Sequence, residues 1–212
     1  MKFIWINFIR TFRNFFRILH NLWLKIFFGY IDITSIVSPK SRIYGKSGIY
    51  LGKKTVIHPY ATLRCSTMAK LDKLSHSIKI GDNTILQPYS YLHTDGGNIL
   101  IGNNCTVNAF AVLYGQGGLR IGDNVRIATQ VAIVPSNHIF DSLGVPIYQQ
   151  GSEMKGVVIG DDVWIGAGAK ILDGVHIADG CVIGAGSVVV ASTEKNGIYV
   201  GVPAKLMRFR GE

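Results

Sequence analysis

Residues 159–183 read Ile159-Gly-Asp-Asp-Val-Trp-Ile-Gly-Ala-Gly-Ala-Lys-Ile-Leu-Asp-Gly-Val-His-Ile-Ala-Asp-Gly-Cys-Val-Ile183, and the spacing within this stretch decides the fold. Ile159, Ile165, Ile171, Ile177 and Ile183 recur every six residues, and four places after each stands a compact side chain: Val163, Ala169, Val175, Cys181 and Ser187. A helix repeats every 3.6 residues and a strand every two, so neither produces this period. The same hexad runs outward through Leu51, Ile57, Leu63; Ile80, Leu86, Leu92; Ile101, Val107, Leu113; and Ile121, Ile127, Ile133, with Val37 and Ile43 at its start and Val189 at its end. The compact position fails only at Asn137. Three hexads make one coil of short flat strands, stacked on the next coil at about 5 Å. The aliphatics fill the prism, the compact residues fit its corners, and Gly52, Gly81, Gly102, Gly122 and Gly160 mark places where a Cβ has no room.

Two insertions break the period, residues 66–77 and 134–157. Insertions in a solenoid leave from one face, and long loops in compact repeats carry function. The expected organisation is an N-terminal helix (1–30), an all-β solenoid domain (31–193) holding both loops, and a C-terminal cap with a basic tail (194–212).

The chain has 212 residues, 48% hydrophobic and 17% charged, with a formal charge of +9, enough for one well-buried core and no more. Residues 1–30 hold Lys2, Arg10, Arg13, Arg17 and Lys25 and no acid, so the solenoid itself is close to neutral. Charge gathered on one helix rather than on a patch interleaved with aromatics argues against nucleic acid. On a helical wheel Asn7, Arg10, Arg13, Asn14, Arg17, His20, Asn21 and Lys25 share one arc, opposite Ile4, Phe8, Phe12, Phe15, Phe16, Leu19, Leu22, Trp23, Ile26 and Phe27. Three arginines oppose a membrane span, and no A-x-A site marks a secretory signal. The segment reads either as a helix lying on a membrane surface or as one packing its aromatic face on the protein. Cys65, Cys105 and Cys181 have no CxxC spacing, so neither a disulfide framework nor a zinc ribbon is expected, and the compartment reads as reducing.

The hexads, with Ile159-Gly-Asp-Asp-Val-Trp-Ile-Gly-Ala-Gly-Ala, Val182-Ile-Gly-Ala-Gly-Ser-Val-Val and Gly201-Val-Pro-Ala-Lys, resemble the hexapeptide-repeat acyltransferases, in particular their galactoside and surface-polysaccharide O-acetyltransferase branch, over about residues 35–210. The resemblance implies a left-handed parallel β-helix, a homotrimer with active sites between subunits, and acetyl-CoA as donor. The reducing compartment read from the cysteines gives a cytoplasmic protein, peripheral on the inner face of the membrane if the N-terminal helix binds lipid.

In that family a loop histidine is the general base, and the matching segment here is Pro135-Ser136-Asn137-His138-Ile139-Phe140. The residues agree, since the chain leaves the solenoid at Asn137, just before His138. Imidazole titrates near working pH and takes a proton from an attacking hydroxyl; the structural alternative is a histidine that caps the loop. By the same resemblance Asn108 matches an acceptor-binding asparagine, and Gln116 stands where galactoside-type members have a carboxylate. Trp164 matches a tryptophan beside the CoA arm, Ala167 and Ala185 the track that meets the pantetheine, and Lys205 and Arg208 basic residues near the CoA phosphates. Val190-Ala191 replaces the Thr-Lys often found there. No metal is expected: a zinc site on this fold needs three histidines with an H-x₄-H pair, and no such pair exists. Other acceptors (amino sugar, amino acid or xenobiotic), a non-enzymatic scaffold and a metal-dependent hydratase are the competing functions.

Overall fold

A computed structural model describes residues 16, 18–66 and 76–212. Most of the expected N-terminal helix and the body of the 66–77 loop lie outside the described residues. The remainder is a left-handed parallel β-helix of three sheets, here A, B and C in the order the chain visits them. The first coil is Tyr30–Ile31, Ile36–Val37 and Arg42–Tyr44; the fifth is Leu119–Ile121, Arg126–Ile127 and Ala132–Ile133; the sixth is Val157–Ile159, Trp164–Ile165 and Lys170–Ile171. Sheets A and C each hold seven strands, all parallel in register. Strands of two to four residues accumulate almost no twist, which relaxes the usual right-handed rule for parallel crossovers.

The hexad aliphatics form the core as the spacing predicts: Leu51, Ile57, Leu63, Leu92, Val107, Ile133, Ile165 and Ile183 are all fully buried. Glycine after the first aliphatic of a coil has a more specific cause than a bend. A Cβ on Gly52, Gly81, Gly102, Gly122 or Gly160 stands 2.2–2.6 Å from the Oδ1 of Asp82, Asn103, Asp123, Asp161 or Asp179 respectively. Those oxygens accept the N–H of Lys53, Asp82, Asn103, Asp123 and Asp161 in turn, so one Asx ladder runs up the A–B edge. On the B–C edge, Tyr60, Tyr89 and Phe110 stack in successive coils at centroid spacings of 5.1 and 5.2 Å, each with φ near +60°. Bulky side chains rarely adopt that conformation.

The C-terminal cap takes the form of two strands. Gly197–Val200 adds in parallel to sheet B, and Lys205–Phe209 turns back antiparallel to it, closing the upper end of the prism. Residues 18–24 are helical and close the lower end. Leu24 and Phe28 are buried there, and so is Asn21, whose Nδ2 donates to Ile33 O and Ser35 O. Asn21 therefore leaves the polar arc of the wheel: a helix crossing the end of a coil meets unpaired carbonyls, and its amide satisfies two of them.

Candidate active site

The long loop leaves the C–A edge between the fifth and sixth coils. Pro135 O accepts the Gly117 N–H at 3.1 Å, and a Cβ on Gly117 would stand 2.5 Å from that oxygen. Ser136 Oγ donates to Gln116 Oε1, and Gln116 Nε2 donates to Asp95 Oδ2 at 2.6 Å. Asp95, Gln116 and Ser136 occupy the same corner of three consecutive coils. A carboxylate only accepts, so Asp95 fixes which way the Gln116 amide points and leaves Oε1 for the serine hydroxyl. The returning strand is held as firmly, since the Asp173 carboxylate accepts the N–H groups of Lys155 and Gly156 at 2.9–3.0 Å.

Beyond these anchors Asn137–His138 pairs antiparallel with Ser152–Glu153, His138 opposite Ser152. His138 is exposed, with Nδ1 3.4 Å from Ser152 Oγ. Its Nε2 has no hydrogen bond among the described residues. The side chain is thus oriented through one nitrogen and open at the other; in the tautomer whose Nδ1–H donates to the serine oxygen, Nε2 is free to accept a proton.

The other expected residues gather elsewhere. Asn108 lies on the B–C edge, where its Nδ2 donates to Ile127 O at 2.9 Å. Ala167 and Ala185 are exposed on the same edge, in the sixth and seventh coils, joined by the Gly186 N–H to Ala167 O bond. Trp164 is 55% exposed on the neighbouring face of sheet B, in register with Arg126 and Val182. Lys205 and Arg208 are exposed on the outermost strand of that sheet, and Arg208 donates to Phe209 O and Glu212 O. One chain therefore divides them into two sets: Gln116 and the foot of the loop that carries His138 lie at the C–A edge, while Asn108, Trp164, Ala167, Ala185, Lys205 and Arg208 are strung along sheet B and the B–C edge from the fourth coil to the outermost strand, about 25 Å at the spacing of stacked strands. The breadth of sheet C, on the order of 15–20 Å, separates them.

Of the remaining histidines, His93 is half-buried beside Tyr91 and Tyr114, its Nε2 3.0 Å from Ser66 Oγ. Burial pushes its pKa down. Burial also pushes the Cys65 and Cys105 thiols up, which suits small core residues and opposes a nucleophilic thiolate. A groove of about 310 Å³ at the sheet A side of the loop foot, between Arg120, Lys155 and His176, contains none of the expected site residues.

The sequence and the fold are similar to those of known proteins. The family model of the bacterial transferase hexapeptide (six repeats) matches residues 156–191. Galactoside O-acetyltransferase of Escherichia coli is 32% identical over 177 residues, covering 80% of this chain and 79% of that one. The chain belongs to the hexapeptide-repeat acetyltransferases. A second Escherichia coli relative of this family member, dTDP-4-amino-4,6-dideoxy-D-glucose acyltransferase, is 30% identical over 134 residues, 61% of this chain and 70% of that one. Among solved structures, a point mutant of AntD, an N-acyltransferase from Bacillus cereus, in complex with dTDP and coenzyme A, superposes with a TM-score of 0.60 at 22% identity, covering 90% of this chain and 89% of that chain. That likeness shows the fold.

Sequence reasoning missed the partners of the loop: Asp95 as the anchor of Gln116, Ser136, Ser152 opposite the histidine, and Asp173. One signal was available for the first two. Asp95, Gln116 and Ser136 stand 21 and 20 residues apart, one coil each, with a side chain able to hydrogen-bond its neighbour at every step.

Proposed function

We propose that this chain is an acetyl-CoA-dependent O-acetyltransferase acting on a sugar hydroxyl of a surface polysaccharide or its lipid-linked precursor, on the cytoplasmic side of the membrane, with His138 as general base. The observation that carries the reading is the histidine itself, oriented by Ser152 at Nδ1 and open at Nε2 on a ribbon gripped at both feet. Nε2 accepts the proton of the acceptor hydroxyl as its oxygen attacks the thioester carbonyl. The tetrahedral centre then collapses, the C–S bond breaks, and the imidazolium returns the proton to the departing sulfur, giving the acetyl ester and free CoA thiol. Such a base supplies about 10²–10⁴ in rate, and holding both substrates together supplies more.

Ala167 and Ala185 leave the B–C edge flat enough for a pantetheine arm, beside Trp164, and Lys205 and Arg208 are the cations for its phosphates. Asn108 presents an amide to acceptor hydroxyls, its Oδ1 having no hydrogen bond among the described residues. Because these groups stand a sheet's breadth from His138, we assign the complete site to two copies: the loop of one meets the B–C edge of the next in a homotrimer. Gln116 contributes to the acceptor side, in a position where galactoside-type enzymes resemble one another in having a carboxylate. An amine acceptor is the second reading, favoured by the amino-sugar acyltransferase among the relatives.

Release of free thiol from acetyl-CoA, followed with a panel of sugar, oligosaccharide and amino-sugar acceptors, tests the assignment. Saturable release with a hydroxyl acceptor, lost in His138→Ala, is the expected result. Release that depends on an amine alone transfers the assignment to N-acetylation, and release unchanged in His138→Ala removes the base.

A further inference from the structure

The helix at the lower end of the prism buries one stripe and displays another. Asn21 and Leu24 on the helix and Phe28 just past its end are buried against the first coil. On the remaining surface Leu19, Leu22, Trp23, Ile26 and Phe27 are all exposed, Ile26 at 74%. Trp23 and Phe27 meet edge to face at 5.0 Å, and Lys46 Nζ reaches to within 5.7 and 5.4 Å of their ring centres. Lys25, exposed, stands beside Ile26. This is a contiguous apolar and aromatic surface bordered by cations, larger than the scattered exposed leucines of an ordinary protein surface.

Its charge selects the partner. No acid occurs in residues 1–31, and the first, Asp32, accepts hydrogen bonds from Thr34 and Tyr30. A second copy laid face to face on this surface would set lysine against lysine with no carboxylate between them. An anionic lipid surface complements both features: the aromatic and aliphatic side chains enter the boundary between headgroups and acyl chains, and the amines meet the phosphates. Among the described residues no helix is long and apolar enough to cross a bilayer.

We propose that the lower end of the prism docks on an anionic membrane surface through Leu19, Leu22, Trp23, Ile26 and Phe27, with Lys25 and Lys46 at the headgroups. The docking goes beyond the catalytic reading and stands or falls separately from it, because lipid binding is read without turnover.

The test is co-sedimentation of the full chain with sucrose-loaded vesicles of phosphatidylethanolamine and phosphatidylglycerol, compared with pure phosphatidylcholine. Binding to the anionic vesicles is expected, weakened by 0.5 M salt, and reduced about tenfold or more in the doubly substituted Leu19→Glu, Ile26→Glu chain. Both positions are exposed, so this variant should keep the wild-type melting temperature and CoA-thiol release with a soluble acceptor. Lys25→Glu with Lys46→Glu supplies the second arm, in which only the anionic component falls. Three results overturn the proposal: no binding to anionic vesicles at low salt, binding indifferent to both double variants, or a fall in oligomer mass by light scattering in the glutamate variant of a protein that ignores vesicles, which would give the face to a second copy.

Discussion

His138 illustrates what one residue contributes. Its position on the ribbon opposite Ser152 leaves Nε2 outward, so His138→Ala should lower kcat by about 10²–10⁴ while the melting temperature and the KM for acetyl-CoA change little. Steady-state assays with a thermal melt check this. His93 differs in kind. Its folded pKa is depressed by burial, so the unfolded chain binds its proton more readily. The stability it contributes is fully present above the unfolded histidine value, about 6.5, and falls as pH drops below that value towards the folded pKa. Melting curves at successive pH values should show that decline, and His93→Asn should flatten it.

The fold was legible because the hexad is a strict rule for the core, which is made of repeated, locally determined contacts: every aliphatic of the hexad series from Leu51 to Ile183 is buried. His138 was legible because the compact-residue rule breaks at Asn137, next to it. The Asp95–Gln116–Ser136 series left only its one-coil spacing in the sequence, because the corner of the prism that each residue occupies follows only once coil lengths and loops are known. Asn21 was misread for a similar reason. A helical wheel assigns a polar side chain to solvent, whereas the end of a β-coil offers carbonyls that need donors.

The Asx ladder on the A–B edge is the element that most constrains substitution. Gly122→Ala places a Cβ 2.2 Å from Asp161 Oδ1 and 2.9 Å from Gly160 backbone, neither able to retreat without opening the ladder. It should cost about 1–3 kcal/mol in denaturant unfolding. Gly144→Ala, in the long loop, meets nothing within 4 Å and should stay within about 0.5 kcal/mol. On the B–C edge the proposed CoA track demands flatness, not stability. Ala167→Trp should leave melting unchanged and raise the KM for acetyl-CoA about tenfold or more, as measured by thiol release at varied donor concentration.

In the whole molecule the ends and edges of one prism divide the work. The lower end carries the cationic aromatic surface, the C–A edge carries the loop, and sheet B with the B–C edge carries the alanine track and Trp164. The loop leaves between the fifth and sixth coils, about 20–25 Å above the first at the spacing of stacked strands. On the proposed docking the loop meets a sugar held at that height, and a lipid-linked oligosaccharide should be acetylated faster than a lipid-linked monosaccharide when both are presented in vesicles.

The central claim is that the two groups of site residues, apart in one chain, meet between two copies. Co-expression of His138→Ala with Ala167→Trp chains under separate tags, and purification of the mixed assemblies, tests it directly. Each chain is defective alone. If the loop of one copy serves the edge of the next, random mixing leaves about a quarter of the sites with an intact loop and an intact edge, and acetyl transfer should return to about a quarter of wild type. If loop and edge act within one chain, every site carries a lesion, and activity no higher than that of the separate variants contradicts the account.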